Sequence, residues 1–202
     1  MRSMREILKR VCTFLNEEKV EYVVVGGIAV LFYGIPRTTM DIDILIAKDM
    51  TKVMRFTEFL KENDFFVDGG DIRMAFEEKS HATIEDKTSM IRLDLKGIYN
   101  ENDRLALKRR RKVSVADFAL YVASPEDLIA NKLLFGSEQD IKDAEGVYAR
   151  QFDNLDMVYL EERCKSLEVN EEFLMMKKRV ERTLHEGGTE QAKDILQVGG
   201  SM

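Results

Sequence analysis

Residues 22–46 read YVVVGGIAVLFYGIPRTTMDIDILI. The first four residues form a short, continuous apolar run, which is typical of a strand buried in a sheet. Gly26 and Gly27 end this strand, and the six residues after them are expected to form a short helix. Residues 41–47 alternate between acidic and apolar side chains over their first four positions and predict a second strand. The order strand, helix, strand indicates an α/β fold.

The chain on either side of this stretch is expected to complete the α/β core. Apolar spacing and alternation predict, in chain order, helices over 4–19 and 49–63, strands over 65–99 with polar turns at Gly69-Gly70 and 85–88, a clear strand over 89–96, a short helix over 103–109, and edge strands around Val113, Val115 and Tyr121-Val122. These elements bring the predicted α/β core to residue 123.

The chain becomes helical after residue 123. Ser124 is a good N-cap, Pro125 suits the first helical position, and two acids follow in the first turn. Helices are predicted over 125–135, 138–150, 155–166 and 170–184. The predicted organisation is therefore a core over residues 1–123, a helical part over residues 124–185, and a flexible, glycine-rich tail over residues 186–202.

Composition excludes several classes of protein. The 202 residues include 45% hydrophobic residues, enough for a core, and carry a net charge of -6. No apolar run approaches the ~18 residues of a membrane span, and the charged N-terminus does not resemble a secretory signal. Cys12 and Cys164 are too few for a disulfide framework, which favours reduced thiols and a cytoplasmic location. The acidic balance leaves room only for a local basic patch such as Lys108–Lys112, which indicates either a phosphate contact or a solvated helix end.

The second predicted strand begins with two acids, Asp41 and Asp43, separated by one apolar residue. Side chains alternate along a strand, so both carboxylates point to the same face of the sheet, about 7 Å apart. Such a pair repels itself unless a cation lies between the carboxylates, and a hard divalent ion is the natural one. The alternative for this short pattern is a solvated strand end or an ion-paired surface.

Asp94 is a third acid on the strand predicted over residues 89–96, and it shares a face with Arg92 and Lys96. If this strand neighbours the one that begins at Asp41, Asp94 completes a cluster of three carboxylates. Such a cluster can hold two magnesium ions roughly 3.5–4 Å apart, as phosphoryl-transfer sites do. Alternatively, Arg92 and Lys96 pair with Asp94 on an exposed face, and its role is structural.

The two glycines lie between a strand and a helix start. Glycine lets the backbone approach a ligand closely, and a helix N-terminus presents N–H groups to an anion. Gly26-Gly27 therefore predicts a phosphate-binding turn, with a ligand-free tight turn as the alternative. Arg37 follows on a loop before the acids and is a candidate phosphate or substrate contact.

The segment from Gly26 to Asp43, GGIAVLFYGIPRTTMDID, resembles the signature of the DNA polymerase beta-like nucleotidyltransferase superfamily. Its details around Arg37-Thr38 resemble the small prokaryotic branch that includes AbiEii-like, type IV toxin-like proteins. That branch has a later helical motif of a lysine followed by an acid pair, which Lys132 and the stretch Asp140-Ile141-Lys142-Asp143 resemble. An arginine often precedes the first of these acids, and here Gln139 stands in its place.

The resemblance implies a nucleotidyltransferase-like mixed β-sheet flanked by helices, and it implies roles for particular residues. Gly26 and Gly27 would bind the triphosphate, Lys132 would contact the nucleotide phosphates with Asp140 close by, and Asp41, Asp43 and Asp94 would bind the metals, with Asp94 helping to activate the acceptor hydroxyl. The implied cofactor is Mg²⁺, or Mn²⁺ in its place. The implied partners are an NTP, an acceptor such as RNA (tRNA) or protein, and a cognate antitoxin, with no membrane.

Three functions remain open at this point. The leading hypothesis is a metal-dependent enzyme that transfers NMP from an NTP to a hydroxyl and releases pyrophosphate. A glycosyltransferase is a different hypothesis, because many such enzymes use D-x-D, although commonly in a loop after a strand. The third is a non-catalytic nucleotide-binding or regulatory module on the same fold.

Overall fold

A computed structural model describes residues 1–186 of the chain, without the side chains of the last two. The helices are α1 (Met4–Glu17), α2 (Gly26–Tyr33), α3 (Met50–Glu62), α4 (Gly69–Glu77), α5 (Glu101–Lys108), α6 (Pro125–Phe135), α7 (Glu138–Gln151), α8 (Met157–Ser166) and α9 (Asn170–Glu186), with a 3₁₀ turn at Phe152–Asn154. The strands are β1 (Tyr22–Val25), β2 (Asp41–Ile46), β3 (Phe65–Phe66), β4 (His81–Asp86), β5 (Arg92–Gly97), β6 (Arg111–Val115) and β7 (Phe118–Val122). Apart from Glu186, the tail predicted over residues 186–202 lies outside the described residues.

The seven strands form one mixed sheet in the order β3-β4-β5-β2-β1-β7-β6. β2 runs antiparallel to β1 and parallel to β5, and β1 runs parallel to β7. This mixed sheet, flanked by helices, confirms the predicted fold class. It also places the strand that carries Asp94 directly beside the strand that begins at Asp41.

The two faces of the central strands have different surroundings. Ile42 and Ile44 of β2 are buried on one face, while Asp41 and Asp43 point to the other and are only partly buried. Leu45 lies two residues beyond Asp43 on the same face and is buried in a cluster with Ala106 of α5. Helix α5 therefore covers the end of this face that lies away from the acids.

The chain divides into two compact units, and neither is a single segment. The first comprises residues 1–28 and 38–123, and contains the whole sheet. The second comprises residues 29–37 together with the chain from Ser124 onward. The predicted domain boundaries stay a prediction about independent folding, which a fragment experiment can test.

Sequence reasoning was wrong about two elements of the first unit. Gly69-Gly70 is not a turn between strands, because these residues begin α4, whose side-chain N-cap is Asp68. Ile72, Ala75 and Phe76 repeat at helical spacing and are buried, which stabilises a helix there. The strand around Tyr121-Val122 is not an edge strand, since β7 lies between β1 and β6; only β6 of this pair forms the edge.

The helices of the second unit have well-defined ends. Ser124 accepts a hydrogen bond from the backbone of Asp127 at the start of α6, and Gly136 ends that helix in the left-handed conformation, at φ 67°. The carboxylate of Asp127 is buried and also accepts hydrogen bonds from Arg163 Nε at 3.0 Å and Tyr159 Oη at 2.8 Å. The N-cap of α6 is thereby joined to α8.

Two further sequence expectations concern the surroundings of the protein. Among residues 1–186, no helix combines the length and the apolar character that a membrane span requires. Cys12 and Cys164 are buried free thiols, and burial raises the pKa of each to about 12. Both thiols are therefore protonated and unreactive at neutral pH.

Candidate functional site

Asp41, Asp43 and Asp94 lie on one face of the sheet, at the start of β2 and near the start of β5. The parallel register of these strands puts Asp43 directly beside Asp94, and Asp41 beside Arg92. We call these four residues the acid face. The structure therefore brings the three predicted acids together in one unit, and it adds an arginine to them.

Gly26 begins α2 against the acid face. Its φ is +61°, a left-handed conformation that side chains disfavour, and a Cβ built there would lie 2.1 Å from Asp43 Oδ2. Only glycine therefore fits between the end of β1 and the Asp43 carboxylate. The first turn of α2, which also contains Gly27, therefore begins beside the Asp43 carboxylate. A phosphate-binding turn next to a metal-binding carboxylate would require this arrangement.

Arg92 holds the first acid of the pair. Its Nε lies 2.8 Å and its Nη2 2.7 Å from Asp41 Oδ1. The Arg92 side chain is 50% exposed and that of Asp41 is 37% exposed, so water screens this ion pair. The alternative in which Arg92 or Lys96 pairs with Asp94 is not observed, because Lys96 pairs with Asp103 instead, at 2.9 Å.

Asp94 is held by a different group. Thr83 of β4 lies opposite Asp94 in the antiparallel register, and its hydroxyl donates a 2.6 Å hydrogen bond to Asp94 Oδ1. Within residues 1–186, no three His, Cys, Asp or Glu side chains are gathered closely enough to hold one metal ion. Asp41 and Asp94 are thus each held by a side chain on an adjacent strand.

The residues of the acid face nevertheless suit a hard divalent cation. The three acids of this face offer carboxylate oxygens, the ligands that magnesium and manganese prefer. Asp43 and Asp94 are register neighbours, and Asp41 lies two residues before Asp43 on the same face. Holding an ion with all three acids through Asp41 Oδ1 requires that Asp41 turn away from Arg92.

The second unit gathers the other predicted contacts into one cluster. Lys132 Nζ lies 2.6 Å from Asp140 Oδ1 and 2.9 Å from Asp143 Oδ2. Arg37 makes a two-point pair with Asp143, from Nε to Oδ1 and from Nη2 to Oδ2, both at 2.9 Å. We call Arg37, Lys132, Asp140 and Asp143 the Lys132 cluster. Its two cations balance its two anions, and the Asp143 side chain is only 2% exposed.

The acids of the Lys132 cluster are stabilised in their charged form. Burial alone would raise the pKa of Asp143, but hydrogen bonds from Arg37, Lys132 and Gln139 outweigh it and lower this pKa below the ordinary value. The pKa of Asp140 is also lowered, because hydrogen bonds from Lys132 and Ser137 outweigh its burial. Both groups are therefore carboxylates at neutral pH.

Gln139 contacts the Lys132 cluster although it departs from the motif. Its amide nitrogen donates a 2.9 Å hydrogen bond to Asp143 Oδ1, so a neutral donor stands where an arginine often occurs in the branch that the sequence resembles. Ser137 caps α7 and donates a 2.6 Å hydrogen bond to Asp140 Oδ2. Polar groups thus surround both carboxylates.

Sequence reasoning missed Thr83 and the role of Asp143. A signal for Asp143 existed, because it lies three residues after Asp140 on a helix, so both side chains share one face and can bind the same lysine. No local signal identifies Thr83, because its contact depends on the pairing of β4 with β5.

The basic run Lys108–Lys112 spans the end of α5 and the start of β6. Arg110 donates a 2.6 Å hydrogen bond to the carbonyl of Leu107 and lies 5.0 Å from the ring centroid of Tyr121. Lys108 and Lys112 are exposed. The solvated helix end that the sequence offered as one interpretation therefore describes part of this basic run. Contact of the run with phosphate stays a prediction.

A mixed sheet with paired acids beside a glycine-initiated helix is the arrangement that the resemblance to nucleotidyltransferases implies. The chain belongs to the family described as nucleotidyltransferase of unknown function (DUF6036), whose model matches residues 3–183. A search of curated proteins found no matching sequence.

Solved structures show the same fold at low sequence identity. A crystal structure of ANT(2″)-Ia in complex with adenylyl-2″-tobramycin has 10% identity and a TM-score of 0.56, over 81% of this chain and 95% of that chain. An antigenic nucleotidyltransferase-like protein from Paracoccidioides brasiliensis has 16% identity and a TM-score of 0.56, over 90% of each chain. These likenesses confirm the fold. The AbiEii-like branch, the metal, the acceptor and the individual site residues stay predictions.

Proposed function

We propose that this protein is a metal-dependent enzyme that transfers NMP from an NTP to an acceptor hydroxyl and releases pyrophosphate. One observation carries the proposal: Asp43 lies beside Asp94 in register and against Gly26, whose missing side chain lets a helix start approach that carboxylate. Membership of a nucleotidyltransferase family supports the reaction class. To bind a metal–triphosphate complex, a protein needs a phosphate-binding turn beside paired acids.

The three acids of the acid face each have a role in this proposal. Asp41, Asp43 and Asp94 would hold Mg²⁺, or Mn²⁺ in its place, and the bound ion would supply a lowered pKa for the acceptor hydroxyl and charge neutralisation for the leaving pyrophosphate. The backbone of Gly26 and Gly27 would bind the phosphates at the positive end of α2. Asp94 would accept a hydrogen bond from the acceptor hydroxyl and orient it for attack.

The Lys132 cluster would bind the nucleotide phosphates through its cations. Lys132 and Arg37 are held in fixed positions by Asp143, so little side-chain entropy is lost when they bind a phosphate. Asp140 would also orient Lys132. Because Asp140 and Asp143 bring the net charge of the cluster to zero, each contact between the cluster and a phosphate is weaker than the contact between an isolated lysine and a phosphate.

Isothermal titration of the four NTPs with magnesium tests the site. Wild-type protein is expected to bind at least one NTP, and Asp43→Asn is expected to lose at least about ten-fold in affinity, because one metal-binding charge is removed. Asp71→Asn is the matched control, since it removes an exposed acid from α4 in the same unit. No binding by folded wild-type protein, or equal losses in both variants, would contradict the proposal.

Transfer itself is tested with α-labelled NTP. Label is expected to appear on RNA, protein or a small molecule from cell extract together with pyrophosphate, and Asp94→Asn is expected to abolish both. Binding of NTP without any transfer would instead support the non-catalytic module. Binding of a nucleotide sugar in preference to all four NTPs would support the glycosyltransferase hypothesis.

The finer resemblance adds a biological role to the proposal. We infer that the protein acts in the cytoplasm as a toxin-like member of the AbiEii branch, with RNA (tRNA) or protein as its acceptor and a cognate antitoxin as its partner. The support is the Lys132 cluster, which matches the later motif of that branch except at Gln139. Growth arrest on expression of wild-type protein, but not of Asp41→Asn, tests this role.

A further inference from the structure

We propose that Arg92 is a positioning residue of the acid face, which holds Asp41 before substrate arrives and binds the triphosphate afterwards. This inference rests on the proposed function and adds a residue to it. Its basis is the direct contact between Arg92 and the first acid of the D-x-D pair.

The sheet itself brings Arg92 to Asp41. The two residues are register partners on parallel neighbouring strands, so their side chains leave the same face next to each other. Both Nε and Nη2 of Arg92 approach a single oxygen, Asp41 Oδ1. In residues 1–186, Asp41 is the one acid that forms an ion pair with Arg92. The contact is therefore built into the strand pairing.

This contact explains the arrangement of the acids. Asp43 and Asp94 are adjacent, whereas Asp41 is turned towards a guanidinium, and in the described part of the chain no three acids converge on one point. A divalent ion and a guanidinium cannot share the same carboxylate oxygen without repulsion. Metal binding through Asp41 Oδ1 therefore requires that Arg92 leave this oxygen.

The pair is suited to such an exchange. Arg92 is half exposed, and ion pairs of this kind shift an equilibrium by about five-fold or less, so the pair breaks readily. A guanidinium has the planar fork that binds phosphate oxygens at two points. Once a metal replaces it at Asp41, Arg92 lies on the acid face with its charge available to the incoming triphosphate.

The proposal predicts opposite effects on two affinities. Binding of Mn²⁺ alone, measured by electron paramagnetic resonance, is expected to tighten about two- to five-fold in Arg92→Gln, because the competing cation is gone. Affinity for NTP with magnesium, measured by calorimetry, is expected to weaken about ten-fold or more, because a charged phosphate contact is lost. A residue with a purely structural role would move both affinities in the same direction.

Two control variants separate the contact from charge alone. Lys87→Gln removes an exposed positive charge from the turn between β4 and β5, which leads into Arg92, and it is expected to leave both affinities within about two-fold. Arg92→Lys keeps the charge without the fork and is expected to give intermediate values. Urea unfolding of each variant establishes that the fold is intact.

The outcomes distinguish this inference from the proposed function. If wild-type protein binds neither Mn²⁺ nor any NTP, the proposed function fails and the inference fails with it. If wild-type protein binds both, but Arg92→Gln moves the two affinities in the same direction or behaves like Lys87→Gln, the role of Arg92 is refuted while the proposed function stands.

Discussion

Gly26 and Asp43 are close enough that each restricts what the other can be. We predict that Gly26→Ala lowers the free energy of unfolding by about 1–2 kcal/mol from the left-handed backbone alone. The clash of the new methyl group with Asp43 Oδ2 adds to this cost and displaces the carboxylate. Urea unfolding and NTP titration measure the two consequences.

Comparison with two other variants separates the backbone contribution to this loss of stability from the clash with Asp43. Gly69→Ala is the matched control, because that glycine does not have a positive φ and the one close neighbour of its new methyl group would be the flexible end of Met54. In an Asp43→Ala background, which removes the clashing oxygen, the cost of Gly26→Ala is expected to shrink towards the backbone contribution. Equal costs in both backgrounds would show that no clash with Asp43 exists.

The acids were predictable from the sequence because strand alternation is a local rule. The pattern of Asp41 and Asp43 fixed their common face, and the alternation around Asp94 did the same for the third acid. The partners of these acids were not predictable, because Arg92 and Thr83 contact them across strands. A single sequence does not specify which strands are neighbours or their register.

The Lys132 cluster is a contact between helices, with the lysine on α6 and both acids on α7. Because the pKa values of Asp140 and Asp143 are lowered in the folded chain, their stabilising effect is complete above the unfolded pKa of about 4 and is lost as the pH falls below it. We therefore predict that the free energy of unfolding falls by up to about 1.4 kcal/mol per pH unit for each group in this range.

A double variant isolates this contribution. Asp140→Asn/Asp143→Asn is expected to be less stable than wild type at pH 7, and the difference is expected to narrow from about pH 4 to pH 3. Asp71→Asn, which alters an exposed acid outside the cluster, supplies the baseline. A difference that stays constant between pH 7 and pH 3 would refute the prediction.

Elements with strong local end signals were predicted well, and those defined by pairing were not. The cap of α6 at Ser124 and its proline fixed that helix to the residue. The error at Gly69-Gly70 arose because the glycine pair was given more weight than the helical spacing of Ile72 and Phe76 behind it. The error at β7 arose because its interior place depends on β1, about a hundred residues earlier in the chain.

The chain passes between the two units three times, so one cut does not separate them. Residues 29–37 belong to the second unit, where Ile35 lies against Gly146 and Gly34 against Val147. We predict that a fragment of residues 1–123 is poorly soluble and unfolds without a sharp urea transition, because the apolar residues of α2 lose their partners.

A shorter deletion is the control for this experiment. Ending the chain at Glu186 removes only the last sixteen residues and keeps both units, so it is expected to unfold as cooperatively as the full chain. A soluble 1–123 fragment with a cooperative transition would show that the predicted core is an independent domain. Such a result would contradict the dependence of α2 on the second unit.

The early assignment of residues 29–37 to the second unit has a consequence for protein synthesis. Gly34 leaves the ribosome about 110 residues before Val147, the side chain that it contacts in the folded protein. At 5–20 residues per second, this stretch waits roughly 6–22 s for its partners. During that interval we expect the apolar segment IAVLFY to be accessible to chaperones that bind the nascent chain. The rate of translation therefore sets how long the incomplete chain can misassemble.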